Sequence, residues 1–474
     1  MLIPLLLSCN SAASGTIQIV TGEETDTFTQ TPVPTNIIVE VAGEDAGAWT
    51  TLVTAPYPTD TIDLGNQDQD AVASLGVEAT DSNGNELIFG ASVPLQYGAL
   101  DGETLPIFVQ RVGQNARLSN FPSGDTRQAP LLSILSDRFL IVSGGLESAT
   151  SLTTEIYDFA QFNLLTPAPT MPIVPASIAV TSTIGLIVDT AGDGWYYDYS
   201  GSTSNYTFTA PTDATNNFTL ADVAGGQAIY DPSGVYVFIV GATRTTGTPT
   251  QAVLEINTTD TSNATYETGN LSWLSLADAR LGASATYVAP YGLVVAGGSP
   301  TAPGVEVIAV LSSATVGSEL MYPPDPSSGA GMTVLDESGN ILLAGGLLPS
   351  GADAGVRAIT LGSCGTPCTP TYWGPNNGAL PVPVTLGFVF PLNPAYAFLV
   401  GSEPSTSQAP GLTHTFTLTT AGATEVPTKV AHTNASAIES PMGSVIFYGG
   451  ANGEIESFTP APQGLVADAG VDGG

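Results

Sequence analysis

The chain has 474 residues, of which 43% are hydrophobic and 11% are charged. This composition excludes a disordered protein, and the length allows a large core and two domains. The formal net charge is −35, because 43 acidic residues face only 8 Lys and Arg residues. So few cations exclude a nucleic-acid partner, whose phosphates need clusters of basic side chains.

The first predicted element is an export signal over residues 1–9. Its end, Leu6-Leu7-Ser8-Cys9, resembles a bacterial lipobox, in which an apolar residue and a small residue precede the cysteine that is lipidated. The resemblance implies cleavage before Cys9 and a mature chain anchored by lipid to the bacterial outer membrane or cell surface. The alternative is an apolar N-terminus without an export role.

Residues 10–34 contain Ser, Thr and Pro without sustained periodicity and are predicted to form a flexible tether. Residues 35–104 alternate apolar and polar positions, which predicts a small β-sandwich. Within it, the run Asp81-Ser-Asn-Gly-Asn85 separates two strand patterns, and its Asn-Gly pair supplies the positive φ that a hairpin turn needs. The sandwich resembles an immunoglobulin-like domain, although it lacks the cysteine pair of antibody domains.

Residues 105–462 repeat a short apolar run that ends in glycine. The first glycine of each run, or Asp189 in one degraded copy, is called its anchor, and the anchors fall at 144, 189, 241, 297, 345, 401 and 449. This spacing indicates one supersecondary unit per copy. Strand patterns on both sides of each run make four antiparallel strands per unit, so the sequence predicts an all-β fold with a seven-bladed β-propeller.

The apolar run, a Gly-Gly doublet and a following strand such as Glu155-Ile-Tyr-Asp158 are similar to the Kelch repeat of galactose oxidase-like propellers. The resemblance covers residues 116–460 and implies a propeller of seven blades. Because an open ring would expose edge strands, Ile107–Arg111 is predicted to complete the last blade as its outer strand. The acidic tail, residues 463–474, is predicted to be disordered.

Two cysteines, Cys364 and Cys368, remain once Cys9 is lipidated. An even pair in an exported protein predicts a local disulfide. The alternative is a metal site, to which only His414 and His432 could add imidazole ligands. The sequence therefore predicts no metal and no cofactor.

The candidate ligand-binding residues are Arg127, Arg280 and His432, which lie 17 residues before the anchors at 144, 297 and 449. Equivalent positions in a propeller lie on one face around the axis, so these side chains are predicted to meet at the channel mouth. There they would bind a carboxylate or an acidic glycan through paired hydrogen bonds. The alternative is structural, with each arginine pairing with its neighbouring Asp125 or Asp278 inside one blade.

No set of nucleophile, base and acid stands out, so no catalytic residue is predicted. The sequence favours a non-enzymatic, monomeric cell-envelope lipoprotein whose propeller face binds a protein or glycan at the cell surface. The alternative is a carbohydrate-active enzyme, of oxidase or hydrolase type, with its site at the channel mouth. A third hypothesis is a passive surface-layer component.

Overall fold

The computed structural model describes residues 12–43, 49–68, 70–119, 126–145, 154–165, 173–181, 184–198, 205–258, 270–299, 301, 304–309, 318–320, 325–336, 338–361, 370–406, 409–450 and 454–460. The predicted signal with Cys9, the pair Cys364 and Cys368, and the tail 463–474 lie outside these residues. Within the described ranges, no helix is both long enough and apolar enough to span a membrane.

The N-terminal region forms two sheets. Its strands are β1 (Ala12–Val20), β2 (Asn36–Gly43), β3 (Thr50–Pro56), β4 (Thr61–Asp68), β5 (Val72–Thr80), β6 (Glu86–Ala91), β7 (Leu95–Gln96), β8 (Thr104–Phe108) and β9 (Gln110–Arg111). One sheet has the order β4–β1–β8, and the other has the order β3–β2–β5–β6–β9, with β7 paired to β5. A short 3₁₀ helix, Tyr97–Leu100, connects β7 to β8.

Alternating apolar residues of the two sheets face a single core. Ile17 of β1, Val39 of β2, Leu75 of β5 and Ile107 of β8 are all fully buried there. Strands with one covered face alternate in this way because successive side chains point to opposite sides of the sheet. The predicted β-sandwich is therefore confirmed, and its immunoglobulin-like character stays a prediction.

Two N-terminal assignments were wrong. Residues 12–20, predicted as part of a tether, form strand β1, which pairs antiparallel with β4 and parallel with β8. The cause is the buried side chain of Ile17, which anchors this strand in the core. Residues 107–111 do not complete the last blade, because β8 pairs with β1 and β9 pairs with β6. The sandwich therefore extends from residue 12 to residue 111 among the described residues.

Seven four-stranded antiparallel sheets follow. Their strands are β10 (Asn115–Arg117), β11 (Leu131–Leu135), β12 (Phe139–Ser143), β13 (Glu155–Asp158), β14 (Asn163–Leu164), β15 (Pro175–Thr181), β16 (Ile184–Asp189), β17 (Gly194–Asp198), β18 (Asn205–Phe208), β19 (Gln227–Tyr230), β20 (Tyr236–Val240), β21 (Thr250–Asn257), β22 (Leu271–Arg280), β23 (Ser284–Val288), β24 (Gly292–Ala296), β25 (Val305–Ile308), β26 (Ser318–Leu320), β27 (Gly331–Val334), β28 (Asn340–Ala344), β29 (Val356–Thr360), β30 (Thr371–Tyr372), β31 (Thr385–Asn393), β32 (Tyr396–Ser402), β33 (Thr413–Thr419), β34 (Gly422–Glu425), β35 (Ser436–Glu439), β36 (Val445–Tyr448) and β37 (Ile455–Phe458). Between them lie a single helical turn α1 (Leu220–Val223), a 3₁₀ turn Gly241–Thr243, and a tight turn α2 (Pro375–Gly378) whose Asn376 and Asn377 adopt positive φ.

The sheets are numbered here in chain order. Sheets 1 to 6 are β11–β14, β15–β18, β19–β22, β23–β26, β27–β30 and β31–β34, and sheet 7 has the order β10–β37–β36–β35. The first strands β11, β15, β19, β23, β27, β31 and β35 each contact the next, and β35 contacts β11, so they form a closed ring. This arrangement is a β-propeller.

The second strand of each sheet carries the glycine-ended run. Residues 140–142 of sheet 1 and residues 293–296 of sheet 4 are almost completely buried. Neighbouring sheets cover both faces, as where Phe238 of sheet 3 stacks on Tyr287 of sheet 4 with ring centroids 6.1 Å apart. The glycines that follow turn the chain sharply, and Gly297 and Gly298 have φ values of 75° and 74°, which other residues rarely adopt.

Strand β10 closes the ring by pairing with β37. Asn115 lies opposite Phe458, and Arg117 lies opposite Glu456. The Asn115 side chain is buried and donates to Thr415 Oγ1 at 2.9 Å and to the Pro427 carbonyl at 3.1 Å in the region of sheet 6. Sheet 7 thus contains both ends of the ring, which leaves no sheet open at the closure.

The sandwich packs against sheets 1 and 7. Phe108 of β8 contacts Phe162 with ring centroids 5.9 Å apart. Arg117 donates from Nε to Glu24 Oε1 at 2.8 Å and from Nη1 to Glu454 Oε2 at 3.3 Å. These contacts join the two regions through both apolar packing and charge.

One face of the sandwich carries three glutamates, Glu40, Glu78 and Glu86, on adjacent strands β2, β5 and β6. Burial raises the pKa of Glu86 to about 8, and repulsion from Glu78 and then from Glu40 adds to the shift. Because this pKa lies above that of an unfolded glutamate, the folded chain binds the proton more tightly. The contribution of Glu86 therefore becomes more destabilising as the pH rises from about 4.5 to 8.

Glu86→Gln is expected to stabilise the chain at pH 9 by on the order of 1–3 kcal/mol, after allowance for solvent screening, because it removes this buried charge. At pH 4, where the carboxyl group is largely protonated in both states, the variant should be nearly as stable as the parent chain. Urea unfolding at the two pH values measures the difference. Glu103→Gln, at an exposed site of the same sandwich, is the control, and equal effects of the two variants would contradict the expectation.

Candidate functional site

The three candidate cations lie immediately before the first strands of sheets 1, 4 and 7. Arg127, Arg280 and His432 are all fully buried. They do not face a channel mouth, because each side chain contacts a carboxylate on the third strand of the sheet that follows it. A ligand cannot reach them, so the interpretation of these residues as a binding site is wrong.

Arg280 shows the geometry most fully. Its Nε donates to Glu306 Oε1 at 2.8 Å, its Nη1 donates to the Gly297 carbonyl at 2.8 Å, and its Nη2 donates to the Gly304 carbonyl at 2.6 Å. Glu306 is itself fully buried and accepts the backbone N–H of Ala277 at 2.6 Å. The pair therefore ties the segment before sheet 4 to its second and third strands.

His432 occupies the same position in sheet 7. Its Nδ1 lies 3.2 Å from the Gly449 carbonyl, and its Nε2 lies 3.1 Å from Glu456 Oε1. The imidazole ring therefore lies between a backbone carbonyl and a buried carboxylate of sheet 7. Glu456 also accepts the backbone N–H groups of Lys429 and Val430 at 2.9 and 2.8 Å. The histidine thus takes the place of an arginine.

The carboxylates share one register. Glu155, Glu306 and Glu456 each lie opposite the residue two positions before the anchor glycine of their sheet. Arg127 pairs with Glu155 at 3.3 Å in sheet 1. The structural alternative is therefore correct in kind, but the partners are glutamates of the third strand. Asp278 instead donates its backbone N–H to Glu306, and Asp125 lies outside the described residues.

Sheet 5 contains the same pair with the charges exchanged. Arg357 takes the third-strand position, opposite Leu343, and Asp325 lies in the segment before the first strand. Their Nη2 and Oδ2 atoms are 2.6 Å apart, and Arg357 also donates to the Gly345 carbonyl at 3.2 Å. Burial works to raise the pKa of Asp325, but the charge of Arg357 and the hydrogen bonds outweigh it, so the pKa is lowered.

A cavity of about 440 Å³ lies between the first strands of sheets 3 to 7. Apolar and aromatic side chains dominate its lining, and they include Tyr230, Tyr287, Met332 and Phe388. Ligand sites are commonly concave and apolar with a few polar groups. The centre of the propeller is therefore the candidate functional site.

Strand pairing places one residue of each first strand at the same level of the channel. In every sheet this residue lies opposite the residue four positions before the anchor. The seven residues are Ile134, Val180, Tyr230, Tyr287, Val334, Pro391 and Glu439. This level, called the channel ring below, is apolar apart from two phenol groups and one carboxylate.

The side chain of Tyr230 in sheet 3 extends across part of the channel ring toward sheets 1 and 2. Its hydroxyl accepts the backbone N–H of Val180 in sheet 2 at 3.0 Å, and its side chain also bonds to Ser133 of sheet 1. Burial among these strands raises the pKa of the Tyr230 hydroxyl, and burial also raises that of Tyr287. Both phenols therefore stay neutral at physiological pH.

Glu439 is the only charged residue on the seven first strands. Its carboxylate contacts the cavity, and no described residue gives it a hydrogen bond or an ion pair. The surrounding strands desolvate its carboxyl group and so raise its pKa, although the side chain is exposed to the cavity. Sequence reasoning missed this residue, although a single acid within seven otherwise uncharged strands is a signal that alignment of the first strands could have found.

His414 lies elsewhere, on the third strand of sheet 6. Its Nδ1 is 2.8 Å from Glu425 Oε1, and its Nε2 is 3.1 Å from Glu403 Oε1. The two histidines therefore do not share a site. Within the described ranges, no group of three His, Cys, Asp or Glu side chains has the arrangement to hold a metal ion.

Comparison with known proteins identifies no family. No protein-family model matches the chain, and no curated protein sequence matches it. Among solved structures, the chain is similar to YCF48 bound to D1 peptide, with 10% identity and a TM-score of 0.42, over 71% of this chain and 95% of that chain. The propeller fold follows from the strand pairings and the closed ring of the chain itself.

Proposed function

We propose that the chain is a non-enzymatic binding protein of the bacterial cell envelope, anchored by lipid at Cys9, and that its propeller takes up part of a protein or glycan ligand. The observation that carries the proposal is the central cavity, about 440 Å³ in volume, with aromatic walls and one unpaired carboxylate, Glu439. This volume and this lining are typical of ligand sites. The lipobox resemblance at residues 6–9 supports the envelope location.

The chemistry of the lining favours binding over glycoside hydrolysis. Hydrolysis of a glycosidic bond normally needs two carboxyl groups, one on each side of the bond. Of the described residues that line the cavity, Glu439 alone is acidic, and none is His, Lys or Arg. Recognition needs no such pair, since aromatic surface and one charged group suffice for affinity and orientation.

Binding of the purified chain to glycan and peptide arrays tests the proposal. Thr333→Trp should fill the cavity, because Thr333 is half-buried and lines it. We expect saturable binding by the parent chain and a loss of at least about ten-fold in affinity for the variant, since the ligand must compete with the indole ring. The variant's thermal midpoint verifies that it folds.

The matched control is Asp137→Asn, in the exposed turn between the first two strands of sheet 1. It lies outside the cavity and should bind as the parent chain does. If Thr333→Trp folds and retains full affinity for every array ligand, the cavity is not the binding site and the proposal fails.

A further inference from the structure

No basic side chain of the described residues lines the cavity. Every arginine contacts an acceptor away from the cavity: Arg111 bonds to the Thr27 carbonyl, Arg117 to Glu24, Arg127 to Glu155, Arg138 to Asp158, Arg244 to the Thr248 carbonyl, Arg280 to Glu306 and Arg357 to Asp325. The single lysine, Lys429, does not line the cavity either. Glu439 therefore has no internal counter-ion among the described residues.

The surroundings of Glu439 suit a positively charged ligand. At the channel ring it shares its level with Tyr230 and Tyr287, and Phe388 and Phe390 also line the cavity. The faces of aromatic rings attract ammonium and guanidinium groups, the more so where water is excluded. Aromatic walls and a carboxylate together bind a cation with an apolar stem better than they bind a neutral or anionic group.

The charge of the whole chain acts in the same direction. With a net charge of −35, the molecule attracts cations and repels anions at long range. An anionic ligand would meet both this field and the unpaired Glu439, with no basic residue in the described lining to oppose them.

We propose that the cavity binds an organic cation, an ammonium or guanidinium group on an apolar stem, with Glu439 as its counter-ion. This inference rests on the proposed function of the cavity as a binding site. The cation belongs either to a free amine or to a lysine or arginine side chain of a peptide, since both present the same group. The volume of about 440 Å³ holds one such group with its stem.

Calorimetric titration of the full chain tests the inference with two arms. One arm compares n-butylamine and n-butylguanidine with n-butanol and butyrate. The other compares a short apolar peptide containing one arginine with the same peptide containing citrulline, which is neutral and of the same shape. We expect saturable binding of the cations and at least about ten-fold weaker binding of their matches, because a charge-assisted hydrogen bond is lost.

Glu439→Gln should weaken cation binding by a similar factor, whereas Asp137→Asn, which removes one charge from an exposed turn at the same end of the first strands, should leave it unchanged. Binding should also weaken as the pH falls toward 5, because desolvation by the surrounding strands raises the pKa of Glu439 and its charge is lost at a higher pH than that of a free glutamate. Tyr230 and Tyr287, which also face the cavity, stay neutral throughout this range.

The outcomes separate the two sources and the two proposals. Binding of the amines alone identifies a free amine, and binding of the arginine peptide alone identifies a peptide side chain; both support the inference. Equal affinity for cations and their neutral matches, or full cation affinity in Glu439→Gln, overturns it. If the array ligands in that case still bind more weakly to Thr333→Trp than to the parent chain, the proposed binding function stands without the cation. If Thr333→Trp binds them with full affinity, both proposals fail.

Discussion

Arg280→Met is expected to destabilise the chain by about 3–5 kcal/mol, the cost of leaving a buried charge without its partner. Arg280 and Glu306 are both fully buried, and their Nη2 and Oε1 atoms are 2.7 Å apart. Methionine fills much of the arginine's volume but leaves the Glu306 carboxylate buried without a counter-ion. Urea unfolding at neutral pH, followed by circular dichroism, measures the change in the free energy of unfolding.

Two further variants show whether charge is the cause. The double variant Arg280→Met with Glu306→Gln removes both charges and should lose less stability than Arg280→Met alone. Arg117→Met breaks a pair whose arginine side chain is 28% exposed, and it should cost only about 0–1 kcal/mol. Equal losses for Arg280→Met and Arg117→Met would contradict the buried-charge explanation.

Phe458→Ala is expected to cost about 3–5 kcal/mol, because it leaves a cavity in a close-packed region. Phe458 is fully buried on β37 and stacks on Phe398 of sheet 6, with ring centroids 3.9 Å apart and planes 6° apart. It also lies opposite Asn115 of β10, the strand that closes the ring. The thermal midpoint and the free energy of unfolding in urea both report the loss.

Phe458→Leu is the matched control. Leucine keeps most of the buried apolar volume, so its cost should be near 1–2 kcal/mol. If the alanine and leucine variants have the same stability, the packing between sheets 6 and 7 does not contribute to closure as described.

The propeller could be predicted because the central residues of its second strands are apolar on both faces. A strand such as Leu293–Ala296 has no polar face, which indicates cover on both sides. The closing strand could not be found in the same way. Asn115–Arg117 has only three residues and no alternation, and its place depends on pairing with Glu456–Phe458 at the other end of the chain.

The candidate site, too, could be predicted from the sequence only in part. Spacing from the anchors brought Arg127, Arg280 and His432 together as one set, and the structure places them in equivalent positions. Their partners were missed because Glu155, Glu306 and Glu456 lie at different distances from the anchors along the sequence. These glutamates share a position only across the strand pairs, where loops of different lengths no longer matter.

The exchanged polarity of sheet 5 limits how the repeats could have been shuffled. A third strand moved from sheet 5 into sheet 4 would bring Arg357 against Arg280 in a buried site, and the reverse move would bring Glu306 against Asp325. Either product would contain two buried like charges, which bulk solvent screens poorly. By this criterion, third strands can be exchanged among sheets 1, 4 and 7, whose pairs share one orientation, whereas the third strand of sheet 5 must move together with the segment that carries Asp325.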